Sequence, residues 1–405
     1  MRYPLKHAEW LTPRRIISLG VVALVMSCFP TIYLLSTSNG SYDVNGKLLG
    51  TDYSAFWSAG RFALDGHAGD AYDLALQDEH LDSLFDGPST PLTAWLHPPT
   101  FYLVVTPFAM LPYLVSLSCW IGVGLAAFAR MIRSIDPRAT AVLLAFAFPP
   151  VLTNVPHGQT GMLFAALFGG ALLCLDRRPF LAGLMIGLMT FKPHLGPLIP
   201  FVLLIGGHYK AMASATLTAV SLIIITTAWL GPQIWLEFYQ SFDVSRGVIL
   251  ESGGVGWFKL QSVYATLRIW GIPIELAYTL HAAMACLAAL MVFAIWARPI
   301  DQTLKFAALI AGSSLVSPYI YDYDLAMLAP AIGWVILHAL RNAFLTYEKS
   351  GIAFVALAPA FSRAMSDDLH IPLGLLASMV LFGIIVRRAL HGTNSAKPER
   401  VETCG

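Results

Sequence analysis

Asp52 stands at the head of Thr51-Asp52-Tyr53-Ser54-Ala55-Phe56-Trp57-Ser58-Ala59-Gly60-Arg61-Phe62. It has two readings. Thr and Asp are preferred helix N-caps, so the carboxylate could simply cap the helix that follows. Equally, a carboxylate held at a membrane surface can take the proton of an attacking hydroxyl. Other polar residues interrupt apolar sequence in the same sparse way: His97 in His97-Pro98-Pro99-Thr100-Phe101-Tyr102, Gln159 in His157-Gly158-Gln159-Thr160-Gly161, and Lys192 with His194 in Phe191-Lys192-Pro193-His194. A lysine between two apolar segments is expensive unless its head snorkels to water or meets an anion. His97 is either an interfacial histidine with no chemical role or a sugar contact. Ser317-Pro318-Tyr319-Ile320-Tyr321-Asp322-Tyr323-Asp324 sets two acids among three tyrosines. This corner suits a sugar or an ion, the alternative being an aromatic belt with a helix cap.

Such residues can fill three roles: a base for an attacking hydroxyl, cations for an anionic group, and aromatic or polar groups to seat a sugar. Asp52 suits the first role, and Lys192 with His194 or Arg246 the second. Tyr319, Asp322 and Asp324 suit the third, with Tyr53, Trp57, His97 and Gln159 nearby. Direct attack by the activated hydroxyl inverts the anomeric centre and needs no covalent enzyme nucleophile. No dense Asp/Glu/His set of the hard-cation type is apparent, so neither metal nor cofactor is expected. Asp322 and Asp324 are the two acids that could contradict this.

The elements that must position these groups are transmembrane helices. Of 405 residues, 57% are hydrophobic and only 12% charged, with a mean hydropathy of +0.65; soluble domains carry roughly twice that charge. A soluble multidomain protein is excluded. A net charge of +1 and the lack of a basic block with interleaved aromatics argue against nucleic acid. Cys28, Cys119, Cys174, Cys286 and Cys404 show no CxxC spacing, which argues against zinc and redox chemistry.

Spanning needs about 20 apolar residues. Charge-free runs predict an all-α polytopic protein with about twelve crossings, near 16–36, 108–129, 139–153, 161–175, 179–191, 195–207, 211–230, 275–297, 305–317, 325–340, 350–364 and 371–386. They form one integral-membrane unit over residues 1–390, and the polar tail 391–405 is expected to be disordered. With the N-terminus inside, 18 of the 25 basic residues fall on cytoplasmic loops or tails and 17 of the 24 acids fall outside, as the positive-inside rule requires. The candidate residues then gather at the outer mouth. Two long outer loops, 37–96 and 231–274, carry expected interfacial helices: Phe56, Ala59, Phe62 and Ala63 share one helical face, as do Trp235, Phe238, Tyr239 and Phe242. Residues 97–112, broken by Pro107 and Pro112, read as a re-entrant or half helix. A transporter or lipid flippase is the alternative class. Such proteins often show internal repeats and polar residues at the midplane, whereas this chain shows no repeat and collects its polar residues at one face.

The motifs Asp52-Tyr53-x-x-Phe56-Trp57-x-Ala59-Gly60, Pro98-Pro99-x-x-Tyr102, Gly158-Gln159, Leu181-Ala182-Gly183-Leu184 before Phe191-Lys192-Pro193, and Ser317-Pro318 occur in this order. Over about residues 16 to 345 the chain thereby resembles glycosyltransferase family 87, bacterial membrane proteins of the polyprenyl-phosphate-mannose-dependent mannosyltransferase type with the GT-C fold. The resemblance implies transfer of a hexose, with mannose the first expectation, from a polyprenyl-phosphate carrier to a lipid or glycan acceptor. It implies a site facing the periplasm of the bacterial inner membrane, among membrane lipids, and it carries the role of base onto Asp52. After the Ser-Pro motif this chain has Tyr323 and Asp324 where the family tends to have histidines, which points to another sugar or acceptor.

Overall fold

A computed structural model describes residues 4–85 and 94–392, and among them the chain forms helices and no strands. Six helices are long and apolar enough to cross a bilayer: Pro13–Ser36, Tyr113–Ile135, Tyr209–Leu230, Ile274–Trp296, Asp322–Asn342 and Leu373–His391. One further pair, Ala139–Phe146 and Pro149–His157, is long and apolar enough only when taken together and is bent by 61° at its break. The break has a local cause. Proline disfavours the α region for the residue before it, and Phe148, which precedes Pro149, has ψ 112° and ends the first half.

All twelve expected crossings overlap helix, and the helices long and apolar enough to span by length and composition number six among the described residues, or seven with the bent pair. Pro99–Ala109, Gly161–Cys174, Pro179–Phe191 and Gln302–Val316 are apolar helices of 10–17 residues, about 15–25 Å at 1.5 Å per residue. The hydrocarbon core is about 30 Å thick. The expected crossing 195–207 contains only the seven-residue helix Ile199–Ile205, and 350–364 is divided between Glu348–Leu357 and Ser362–Asp368. A charge-free run reveals apolar length but not where proline or glycine stops the helix.

Placement in the bundle follows side-chain chemistry. Gln302–Val316 is apolar almost all round and buried over eleven of its fifteen residues, as a central helix must be. By contrast, Gly20 is the single buried residue of Pro13–Ser36, whose Val25, Met26 and Phe29 face outward. One continuous apolar core runs from Tyr53 to Ala389. A smaller one, with Ile249, Leu250, Leu260 and Tyr264, lies under the 231–274 connection.

The first long connection departs from expectation. Tyr53–Leu64 is not an interfacial helix, for nine of its twelve residues are buried. It packs tightly on Tyr102–Ala109 at Gly60, where an added Cβ would lie 2.5 Å from the Ala109 Cβ. The second connection folds as the helix Ile234–Val244, a π-helical turn Ser245–Glu251, a short turn Trp257–Lys259 and the helix Val263–Ile269. Tyr239 and Phe242 on it are exposed, while the Phe238 ring packs 5.9 Å from that of Tyr72. The expected disordered tail falls, from residue 393, outside the described residues.

Candidate active site

The Pro149–His157 helix ends at Gly158, whose φ of +63° is the left-handed conformation that glycine adopts without strain. Any side chain there would also collide with Tyr53, whose Cβ lies 2.5 Å from the ideal Cβ position. Trp120 Nε1 donates to the Gly158 carbonyl at 2.9 Å and fixes the turn. That turn delivers two partners to Asp52. The Asp52 N–H donates to the His157 carbonyl at 3.2 Å, and Gln159 Nε2 donates to Asp52 Oδ2 at 2.8 Å. Thr51 Oγ1 lies 2.9 Å from His157 Nδ1 and 3.5 Å from Asp52 Oδ1. The Asp52 carboxylate makes no capping hydrogen bond to the helix it precedes, so the capping alternative does not describe its bonding.

Across from this turn, the Ser317–Asp324 corner is tied to two cations. Lys192 Nζ donates to Asp324 Oδ1 at 2.5 Å, and both side chains are at most 5% exposed. Arg363 grips Asp322 with two nitrogens, Nε on Oδ2 and Nη2 on Oδ1. Tyr321 and Tyr323 stack with centroids 5.1 Å apart and planes within 6°, and the Lys192 ammonium sits 5.0 Å above the Tyr323 ring. Both acids therefore already have cationic partners, and so does Lys192, which neither snorkels nor stands free.

His97 Nδ1 lies 3.0 Å from the Phe191 carbonyl; a carbonyl only accepts, so this nitrogen carries the proton. Burial, then the neighbouring Lys192 ammonium, pushes both His97 and His194 down to about 3. Both shifts favour the neutral imidazole, in which His194, lining the cavity, still carries one N–H donor. Arg246 Nε pairs with Glu251 at 2.7 Å.

These groups surround one cavity of about 1490 Å³. Of the residues expected from sequence, Asp52, His97, Gln159, Lys192, His194, Arg246, Tyr319 and Asp324 line it. Asp322 stands behind Arg363. Tyr53 and Trp57 are not part of the lining: both are buried, with the Tyr53 hydroxyl 2.6 Å from Ser116 Oγ and Trp57 Nε1 donating to the Leu111 carbonyl. The burial of their helix turns these aromatics into core. The cavity also reaches Leu34 and Leu35 at the end of the first span, and Ile121 and Phe242, giving it an apolar flank beside the polar end.

Tyr321 of the tyrosine corner lines the cavity as well, and so do Lys259 and Arg363, which the sequence did not single out for a role. Arg363 carried a readable signal, a charge inside the expected crossing 350–364, where an ionisable residue is costly and commonly functional. Lys259 carried none.

The described residues thus form an all-helical bundle, six of whose helices are long and apolar enough to cross a membrane, around a cavity that joins a carboxylate and several cations to an apolar flank. The chain belongs to glycosyltransferase family 87, whose family model matches residues 95–318, and it is accordingly a membrane glycosyltransferase acting on a sugar donor and an acceptor. His97, Gln159, Lys192, Arg246 and Lys259 fall within the matched stretch; Asp52, Asp322, Asp324 and Arg363 fall outside it. No curated protein and no solved structure matches the chain.

Proposed function

We propose that this glycosyltransferase moves a hexose, with mannose the first candidate, from a polyprenyl-phosphate carrier to a hydroxyl of a lipid or glycan acceptor, with inversion and with Asp52 as the general base. The observation that carries this reading is the Asp52 carboxylate, which lines the cavity, is fixed by Gln159 through Oδ2, and has Oδ1 turned to no stronger partner than Thr51. Oδ1 takes the acceptor proton as the acceptor oxygen bonds to the anomeric carbon from one face. The bond from that carbon to the phosphate oxygen breaks on the other face, and the electron pair leaves with the phosphate. The stacked Tyr321 and Tyr323, with Tyr319, His97 and Gln159, border the sugar, and the Lys192–Asp324 pair fixes the shape of that corner. The apolar flank at Leu34, Leu35 and Phe242 accepts the first isoprene units.

Incubating the purified protein with a radiolabelled polyprenyl-phosphate hexose and native membrane lipids, followed by mass analysis, tests the reading directly. A glycosylated acceptor is expected. Release of free hexose would indicate a hydrolase, and uptake into vesicles with no sugar product would indicate a transporter.

Asp322 and Asp324 are engaged by Arg363 and Lys192, and no group of three metal-ligating side chains occurs among the described residues. Transfer is expected to survive EDTA. Complete loss, restored by magnesium or manganese, would make those acids ligands.

In this reading the cavity faces the periplasm of the bacterial inner membrane. Arg14, Arg133, Arg177, Lys210, Arg298, Arg341 and Arg387 lie at or beside helix ends remote from those that lead to the cavity, and such residues resist translocation. In a cysteine-free background, Asn45→Cys is expected to react with an impermeant maleimide in intact cells, and Arg177→Cys only after lysis. The reverse pattern would invert the topology.

A further inference from the structure

Five cationic side chains line the cavity: Lys47, Lys192, Arg246, Lys259 and Arg363. Three are committed, Lys192 to Asp324, Arg246 to Glu251 and Arg363 to Asp322. Lys47 is exposed at the rim. Lys259 is half-buried, and among the described residues its ammonium has no ion-pair or hydrogen-bond partner. The Phe258 ring centroid lies 6.0 Å from the ammonium, and a half-buried cation with no carboxylate partner at the polar end of a cavity is costly until an anion arrives.

Its position is built rather than incidental. The chain reaches Lys259 through Gly253 and Gly256, at φ +69° and +84°, and Trp257 is fixed by donating Nε1 to the Leu250 carbonyl at 2.7 Å, with the Arg268 guanidinium 4.8 Å over its ring. Immediately after Lys259, Leu260 forms an antiparallel bridge with Tyr321, and the Gln261 N–H donates to the Ile320 carbonyl at 2.7 Å. Lys259 is thus held beside the tyrosine corner. Its electrostatic neighbours are Arg363, Asp52, Asp322 and Lys47. Burial and Arg363 hold the ammonium below the usual lysine range, opposed by the two carboxylates. Arg363 spends two of its five N–H groups on Asp322, so the rest stay open to the same anion.

We propose that Lys259, supported by Arg363, forms the site for the phosphate of a polyprenyl-borne ligand, in place of Lys192, whose charge Asp324 already takes up. The inference rests on the donor class proposed above and adds to it the residues that read the phosphate. Occupation would be shared by the sugar donor and by the spent carrier monophosphate, which must leave again. A cation on the 231–274 connection suits that exchange, because the connection borders the apolar flank by which the lipid would enter.

The test uses equilibrium binding, with no turnover. Full-length protein in nanodiscs is titrated with a polyprenyl monophosphate and with the uncharged polyprenol of equal chain length, read by native mass spectrometry. Wild type is expected to prefer the monophosphate by tenfold or more. Lys259→Met should abolish that preference while polyprenol binding stays the same, and Lys259→Arg should restore most of it. A preference that survives Lys259→Met would overturn the inference and leave the transfer reaction standing. Displacement of the bound monophosphate by GDP at lower concentration than by the lipid itself would overturn the lipid source and assign the cation to a nucleotide phosphate. Unchanged polyprenol binding also shows that the variant is folded.

Discussion

Asp52→Asn is expected to lower turnover by about 10² to 10⁴-fold, the usual contribution of a positioned general base, with both substrates saturating and with little change in melting temperature. The asparagine side chain is isosteric, and its carbonyl oxygen can accept the Gln159 Nε2 hydrogen bond that Asp52 Oδ2 accepts at 2.8 Å. The carboxylate makes no bond to its own helix, so no cap is lost. What disappears is the basic oxygen. Wild-type turnover in this variant would remove Asp52 from the chemistry and leave it a structural partner of the 157–159 turn. Gln159→Leu offers a graded comparison: it keeps the base but frees it from the hydrogen bond that fixes Oδ2, so turnover should fall less than in Asp52→Asn.

Lys192→Met is expected to act on stability first. It leaves Asp324 buried, at 1% side-chain exposure, without its cation. Breaking a buried pair by removing one partner costs about 3–5 kcal/mol, whereas replacing both with apolar groups of similar size is often close to neutral. The single variant should therefore unfold at a clearly lower temperature in detergent or nanodiscs, and Lys192→Met with Asp324→Leu should recover most of the loss. A phosphate-binding lysine behaves differently. If the single variant keeps wild-type stability and loses only donor affinity, the Lys192–Asp324 bridge is not the resting arrangement, and the lysine is the phosphate ligand after all.

Both predictions turn on pairings that lie far apart in sequence. Asp52 and Gln159 are separated by 107 residues, Lys192 and Asp324 by 132. Asp52, Gln159 and Lys192 were visible as sparse polar residues beside apolar sequence, and Asp324 as one of two acids among three tyrosines, since a membrane makes such residues expensive. Their partners were not visible, because any cation in the chain could have met either acid of the tyrosine corner. Lys259 had no sequence signal of its own. Its place depends on the Leu260–Tyr321 bridge, a backbone pairing with no side-chain signature. Tyr53 and Trp57 show the converse error. Aromatics beside a candidate base suggest a sugar platform, but periodicity reports only that a helix has an apolar face and does not tell whether lipid or protein covers it. Here Tyr102–Ala109 approaches closely enough at Gly60 to bury the helix on nearly every side.

The sequence by itself determined the class. Apolar runs too long and too poor in charge for a soluble protein force backbone hydrogen bonding inside helices within the bilayer, and the ordered motifs from Asp52 to Ser317-Pro318 resemble the family that the match over residues 95–318 then showed. Tertiary structure alone decided how many of the apolar segments are full spans, because helix length is set by where Phe148-Pro149 and similar stops fall and by which neighbours cover a short helix. It alone decided which charges are spent on one another and which is left over, because ion pairing in a low-dielectric cavity depends on distances of a few ångströms between residues as far apart in the chain as Asp322 and Arg363, 41 positions, or Lys192 and Asp324, 132 positions.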